Sequence, residues 1–248
     1  MTKNQSNSYS IINIYKKPST KSEVVTQMLY GESFSIFKKA NRWLKVKIKE
    51  DGYKGYVQNK NFSKFLKPSY KISVLKAKIY KLPNKRKKVN IIPYGSKIKV
   101  LEKKNNFLKF SKGWIHKNDI KPISYVEKNP FKKISIFKSI KYKWGGKSFK
   151  GIDCSALIQT FFIYNNSFYP RDTKDQIKYS KKNFKRVKFK KGDIIFWKGH
   201  VAICLNSKQL IHAYGPEKKV IIMPIIETIN RIKKTASLKV KKITRINY

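Results

Sequence analysis

The chain has little with which to staple itself, span a membrane or read a nucleic acid. Only two cysteines, Cys154 and Cys204, occur in 248 residues, so no disulfide framework holds the fold. No apolar run approaches the length of a membrane span. Met1–Ser10 is polar and lacks an apolar centre, so no secretory leader is expected. The expected compartment is the cytoplasm, with a periplasmic or exported location as the alternative. Acidic residues are scarce, 13 against 59 basic ones, for a net charge of +46. Arginine is scarcer still: Arg42, Arg86, Arg171, Arg186, Arg231 and Arg245 leave 53 of the 59 basic residues as lysine.

That charge invites non-specific contact with polyanions, weakened by salt. It does not describe a dedicated nucleic-acid reader. The lysines run along the whole length, and arginine, the side chain that reads phosphates and bases with two bonds, is nearly absent. Heavy use of Lys, Asn and Ile matches a coding bias toward A and T. What is present is apolar substance: 40% hydrophobic and 14% aromatic residues, enough for packed cores and against general disorder.

Residues 1–66 read as short strands divided by turn residues. Ser10–Tyr15, Val24–Tyr30 and Phe34–Phe37 are strand-like, and Trp43–Ile48 alternates apolar and charged side chains as a half-buried strand does. Asp51-Gly52 is a hairpin signal before Tyr53–Val57. The same grammar recurs more weakly over residues 67–123, as in a degenerate internal repeat. Both segments predict small β-barrels. Lys85–Lys88 is a basic turn, and His116 is a lone histidine at a strand end.

From residue 124 onward the pattern changes. Apolar residues at 131, 134, 137 and 140 predict a helix. Gly151–Gln159 reads as a turn running into a second helix, with Asp153 as its cap and Cys154 in the first turn. Unpaired amides and the helix dipole there are expected to lower the thiol pKa. Leu157, Ile158, Phe161 and Phe162 predict its buried side. Thr173 and Gln176 read as a capping box for a further helix. Asp193–Trp197, His200–Leu205 and Gln209–Tyr214 predict antiparallel strands. His200 and His212 sit on adjacent strands as cross-strand neighbours. With Cys154 they form a nucleophile, base and orienting-residue constellation. A metal site would need a further ligand, and no close-spaced ligand motif is present. Cys204 reads as a packed thiol.

The ordered set Tyr142-Lys-Trp-Gly-Gly, Gly151-Ile-Asp-Cys-Ser-Ala-Leu-Ile-Gln, Pro170-Arg-Asp-Thr-x-x-Gln176, Lys191-Gly-Asp-Ile-Ile-Phe-Trp, His200-Val-Ala-Ile and Ile211-His-Ala resembles the NlpC family of papain-like cell-wall cysteine peptidases. Ala156 stands where that family usually has Gly. The first segment resembles a bacterial SH3-like domain, with Tyr56 in place of the usual Trp, and the second does so more weakly. The resemblance implies an α+β papain-like domain over residues 124–248, its Cys helix packed on an antiparallel sheet, behind SH3-like barrels at 1–66 and 67–123. It implies Cys154 as nucleophile, His200 as base, His212 as orienting residue and Tyr142 as polarising group, with no cofactor or metal. More narrowly, the arrangement is similar to γ-D-glutamyl-L-diamino acid endopeptidases. These hydrolyse the γ-D-Glu–diamino acid bond of murein peptides with a free N-terminal L-Ala, in cell-wall peptide recycling. Ser155, Asp172 and Thr173 then match the substrate-amine pocket, with Tyr53 and Glu32 as barrel residues walling it. The alternatives are a non-catalytic protein binding wall polymer or polyanions through its barrels, and a charge-driven nucleic-acid or membrane-surface protein.

Overall fold

The computed structural model describes residues 4–180 and 188–245. The chain divides into two compact units, residues 1–126 with 145–149, and residues 127–144 with 150–248.

The first unit is built from strands. One sheet runs in the order Val24–Leu29, Ile11–Tyr15, Lys54–Gln58, Trp43–Ile48, Ser33–Ala40, Gln5–Ser6, Ser63–Lys64. The alternation read in Trp43–Ile48 has its expected result: Leu44, Val46 and Ile48 are buried while Lys45 and Lys47 face water. They join Ile14, Met28, Phe34 and Val57 in one core. Each such side chain contributes about 1.5–3 kcal/mol by leaving water. Residues 70–122 form two further sheets around a second core of Ile72, Ile79, Ile92, Ile98, Leu108 and Ile115. Tyr30, from the first set of strands, belongs to that second core. Gly31 turns beside it at φ +77, where a Cβ would come within 1.9 Å of the Lys97 carbonyl oxygen.

Residues 145–149 are held in this unit by a buried cluster. The Lys147 ammonium lies 2.7 and 3.0 Å from the two carboxylate oxygens of Glu32. Its backbone N–H donates to Gln27 at 2.9 Å.

In the second unit, the strands Lys219–Pro224, Gln209–Tyr214, His200–Cys204, Asp193–Trp197 and Lys242–Arg245 form an antiparallel sheet in that order. Helix α1 (Cys154–Tyr164) packs on its His200–Cys204 and Gln209–Tyr214 strands. Leu157, Ile158 and Phe161 are fully buried, and Phe162 stacks on Tyr169 at 4.1 Å. Helix α2 is short (Thr173–Tyr179), and α3 (Ile225–Ala236) buries Ile225, Thr228 and Ile232 on one stripe.

The helix expected over 131–140 is not α-helical. Only Ile134–Phe137 winds, as a 3-10 turn. Buried Phe131, Ile134 and Phe137 recur every third residue, which suits the three-residue turn of a 3-10 helix better than 3.6. Ser139, at φ 67, ends the run.

Candidate active site

Gly151 is the residue that lets the site form. At φ +145 its Cα faces Lys143, and a Cβ would come within 2.5 Å of the Lys143 Cβ. The close approach lets Ile152 pair with its neighbours: its N–H donates to the Lys141 carbonyl and its carbonyl accepts from the Lys143 N–H. Tyr142 is thereby fixed beside Ile152, two residues before Cys154.

Asp153 caps α1 as expected, its carboxylate accepting from the Ala156 N–H at 2.8 Å. Its charge is met by Arg171, whose two terminal nitrogens reach both carboxylate oxygens at 3.0 and 2.6 Å. Arg171 also donates to the Ser155 hydroxyl at 2.9 Å, and that hydroxyl donates to Asp153 at 3.1 Å. The Gln176 amide donates to the Ser155 and Pro170 carbonyls, tying α2 to α1. Gln176 therefore does not close a capping box. The N-cap of α2 is Asp172 rather than Thr173, and its carboxylate makes no cap bond.

Cys154 is buried, 5% exposed. Burial, then the Asp153 carboxylate, push its pKa up to about 11, against the opposing pull of the Val201 N–H, the Thr173 hydroxyl and Arg171. The expectation of a lowered thiol pKa is thus reversed in the free protein: desolvation outweighs the helix terminus. The hydrogen bond with Val201 sets the sulfur beside the strand residue that follows His200. Tyr142 is close enough that the Cys154 charge raises its phenol pKa, after burial as the larger cause.

His200 and His212 are diagonal neighbours. Ile203 pairs with Ile211, so in the same register His200 falls opposite Tyr214, two residues beyond His212. His200 Nε2 and His212 Nδ1 are 2.9 Å apart, and His212 Nε2 lies 3.4 Å from the Met223 thioether. A thioether only accepts. Between neutral rings one protonation pattern then satisfies both contacts. His212 Nε2–H donates to Met223, bare His212 Nδ1 accepts from His200 Nε2–H, and His200 Nδ1 is left with its lone pair. Burial lowers the His200 pKa to about 4. Burial, His200 and Arg231 together lower that of His212 to about 2. Tyr214 stacks on His212 with centroids 4.6 Å apart.

Tyr142 and His200 line a cavity of about 340 Å³ with Tyr214, Pro216, Arg231 and Leu238. Of the other residues expected at the site, Thr173 meets the Cys154 sulfur and Ser155 the Asp153–Arg171 pair. Asp172 is half-buried at the start of α2. Tyr53 and Glu32 belong to the first unit. Tyr53 packs on the barrel core. Glu32, 2% exposed, spends its carboxylate on Lys147 and the Leu29 N–H. Cys204 is buried in the sheet's own core. His116 caps a 3-10 turn, its Nδ1 accepting from Asn118. Among the described residues no group of three or more His, Cys, Asp or Glu is placed to hold a metal. Arg171, Met223 and Arg231 were missed. For the arginines the signal was their rarity: in a chain of lysines, Arg171, Arg231 and Arg245 each pair with a carboxylate.

A thiol on the first turn of a helix, beside a histidine pair on an antiparallel sheet, defines a papain-like cysteine peptidase. The NlpC/P60 family matches residues 139–238, and the bacterial dipeptidyl-peptidase Sh3 domain matches residues 14–62. The chain carries an NlpC/P60 cysteine peptidase domain behind a bacterial SH3 domain. It is 25% identical over 236 residues to a γ-D-glutamyl-L-lysine dipeptidyl-peptidase of Bacillus subtilis (strain 168), covering 85% of this chain and 79% of that protein. Over 72 residues it is 38% identical to dipeptidyl-peptidase 6 of Lysinibacillus sphaericus, covering 29% of this chain and 27% of that protein. A crystal structure of an NlpC/P60 family protein from Bacillus cereus ATCC 10987 superposes with a TM-score of 0.80 at 20% identity, over 98% of this chain and 99% of that one. That likeness speaks for the fold.

Proposed function

We propose that this protein hydrolyses murein peptides at the bond joining γ-D-Glu to a diamino acid. The observation that carries the reading is the His200–His212 contact beside the buried Cys154 thiol. The γ-D-glutamyl-L-lysine dipeptidyl-peptidases of two Bacillus species, similar over most of this chain, supply the substrate class.

In this mechanism His200 Nδ1 takes the thiol proton as the sulfur attacks the γ-carbonyl carbon. The oxyanion is met by the Cys154 backbone N–H and by the Tyr142 hydroxyl, which burial keeps protonated. The C–N bond then breaks and imidazolium gives its proton to the leaving amine. Water, deprotonated by His200, hydrolyses the thioester. Because the resting thiol and imidazole are both neutral, proton transfer accompanies attack rather than preceding it.

The proposal extends to substrates with a free N-terminal L-Ala. Asp172 is the anionic partner for that ammonium, with Ser155 and Thr173 as the further residues of the pocket; a buried ammonium requires such a partner. A role in peptide recycling, in the cytoplasm, belongs to the same reading.

The test is incubation with L-Ala-γ-D-Glu-diaminopimelate and measurement of released diaminopimelate. Release by the wild type and none by Cys154→Ala is expected. Equal release by the two would end the enzymatic reading of this site. N-acetylation of the peptide should abolish cleavage, and unchanged cleavage would remove the free-amine pocket. Equal activity on intact wall and on the tripeptide would contradict recycling, and cell fractionation checks the compartment.

A further inference from the structure

The cavity beside His200 holds an arginine that the peptide-hydrolysis mechanism does not use. Its walls are Tyr142, His200, Tyr214, Pro216, Ile232 and Leu238, and Arg231 of α3 stands among them. At about 340 Å³ it lies at the small end of ligand pockets, roughly 300–1,000 Å³. It shares His200 and Tyr142 with the reaction centre, and Cys154 is not among its walls.

That division assigns the cavity to one half of the substrate. The acyl half becomes bonded to the Cys154 sulfur. The amine half receives its proton from His200 and departs on the histidine side. The group in this cavity is therefore the leaving residue. Its aliphatic portion meets apolar walls, Tyr214, Pro216, Ile232 and Leu238. Its polar end meets Arg231.

Arg231 is held ready for an anion. One terminal nitrogen donates to Glu217 at 2.7 Å, and the guanidinium lies 5.6 Å from the Tyr214 ring centroid. These two contacts orient a planar fork with five donors, of which the Glu217 bond takes one. A carboxylate is the matching partner, taken by two parallel bonds. Its use here is selective, since the chain supplies lysine for almost all its other cations.

Resting on the peptidase reading above, we infer that this cavity binds the leaving amino acid and that Arg231 recognises its free α-carboxylate. The enzyme then favours peptides in which the diamino acid is the last residue.

The experiment compares kcat/KM on L-Ala-γ-D-Glu-L-Lys with a free C-terminal carboxylate and with a C-terminal carboxamide, for wild type, Arg231→Gln and Glu217→Gln. Wild type should prefer the acid by about tenfold or more, the size expected of a hydrogen bond between charged groups. Arg231→Gln should lose that preference, its kcat/KM on the acid falling to that on the amide, while its thermal midpoint shows that it folds. Glu217→Gln should keep or sharpen the preference. A wild type that cuts acid and amide alike, or an Arg231→Gln variant that still discriminates, overturns the inference and leaves the peptidase reading standing. Cleavage of neither peptide overturns both.

Discussion

Cys154 and His200 are each neutral at rest because both are buried, and under the proposed mechanism this has a signature in pH. With the His200 pKa at about 4 and that of Cys154 at about 11, kcat/KM should rise as pH increases through about 4 and stay high through neutrality. Alkylation of Cys154 by iodoacetamide should stay slow at pH 7 and quicken toward pH 11. A preformed thiolate–imidazolium pair would instead give a fast plateau from low pH. In the proposed mechanism His212 and Met223 bear on the same proton through the His200–His212 and His212–Met223 contacts. Replacing His212 with Ala should lower kcat within the roughly 10²–10⁴-fold range of general-base catalysis. Met223→Leu keeps the volume and removes the acceptor, so the His212 tautomer is no longer specified. A drop of roughly tenfold in kcat is expected, and it should vanish in a His212→Asn background, where the amide oxygen accepts regardless. A Met223→Leu effect of the same size in both backgrounds would mark the residue as packing alone.

At the scale of the element, α1 is held at its N-terminus by a buried ion pair and the 145–149 segment by another. Arg171 and Asp153 are 3% and 5% exposed, Lys147 and Glu32 4% and 2%. Burial raises the Glu32 carboxyl pKa, although Lys147 opposes it, and the carboxylates around Lys147 hold that ammonium charged. Such pairs gain little over apolar side chains of the same shape, yet breaking one leaves an uncompensated charge. Arg171→Met and Lys147→Met should each cost about 3–5 kcal/mol in denaturant unfolding. The double change Glu32→Leu with Lys147→Met should recover most of the loss. If the double variant is no more stable than Lys147→Met alone, the pair is not the cause.

The whole molecule adds two dependences that no single site shows. Its net charge of +46 repels itself. Added salt should raise the thermal midpoint and weaken retention on heparin together, and a heparin interaction insensitive to salt would mean a specific site instead. The second concerns acid. His200 and His212 have folded pKa values below the ordinary histidine value of 6.5, so the unfolded chain takes up protons first as pH falls. The stability that they contribute is complete above pH 6.5 and is lost as pH falls from there, through about 4 for His200 and about 2 for His212. Substituting His212 with Gln should flatten that part of the curve, read as thermal midpoint against pH.

Local order was legible in the chain because it is local physics. Alternation in Trp43–Ile48, the cap at Asp153 and the turn at Gly151 each follow from a residue and its neighbours. So does the placing of His200 and His212 on adjacent strands joined by a short loop, although the register sets them diagonally rather than opposite. The misreadings fell where neighbours do not decide. The apolar spacing at 131–140 reads as an α-helix but winds as a 3-10 turn, and Gln176 reads as a cap but donates to the carbonyls of Ser155 on α1 and of Pro170. By itself the sequence determined the strand-built first unit, the Cys helix, the strand histidines and the resemblance that their order carries. Tertiary structure alone decided the electrostatics: that burial keeps the Cys154 thiol protonated, that Arg171 answers Asp153, that His212 has Met223 as its second partner, and that Arg231 lines the cavity beside His200. Each of these depends on what lies across space from a side chain, at distances of a few ångströms between residues far apart in sequence.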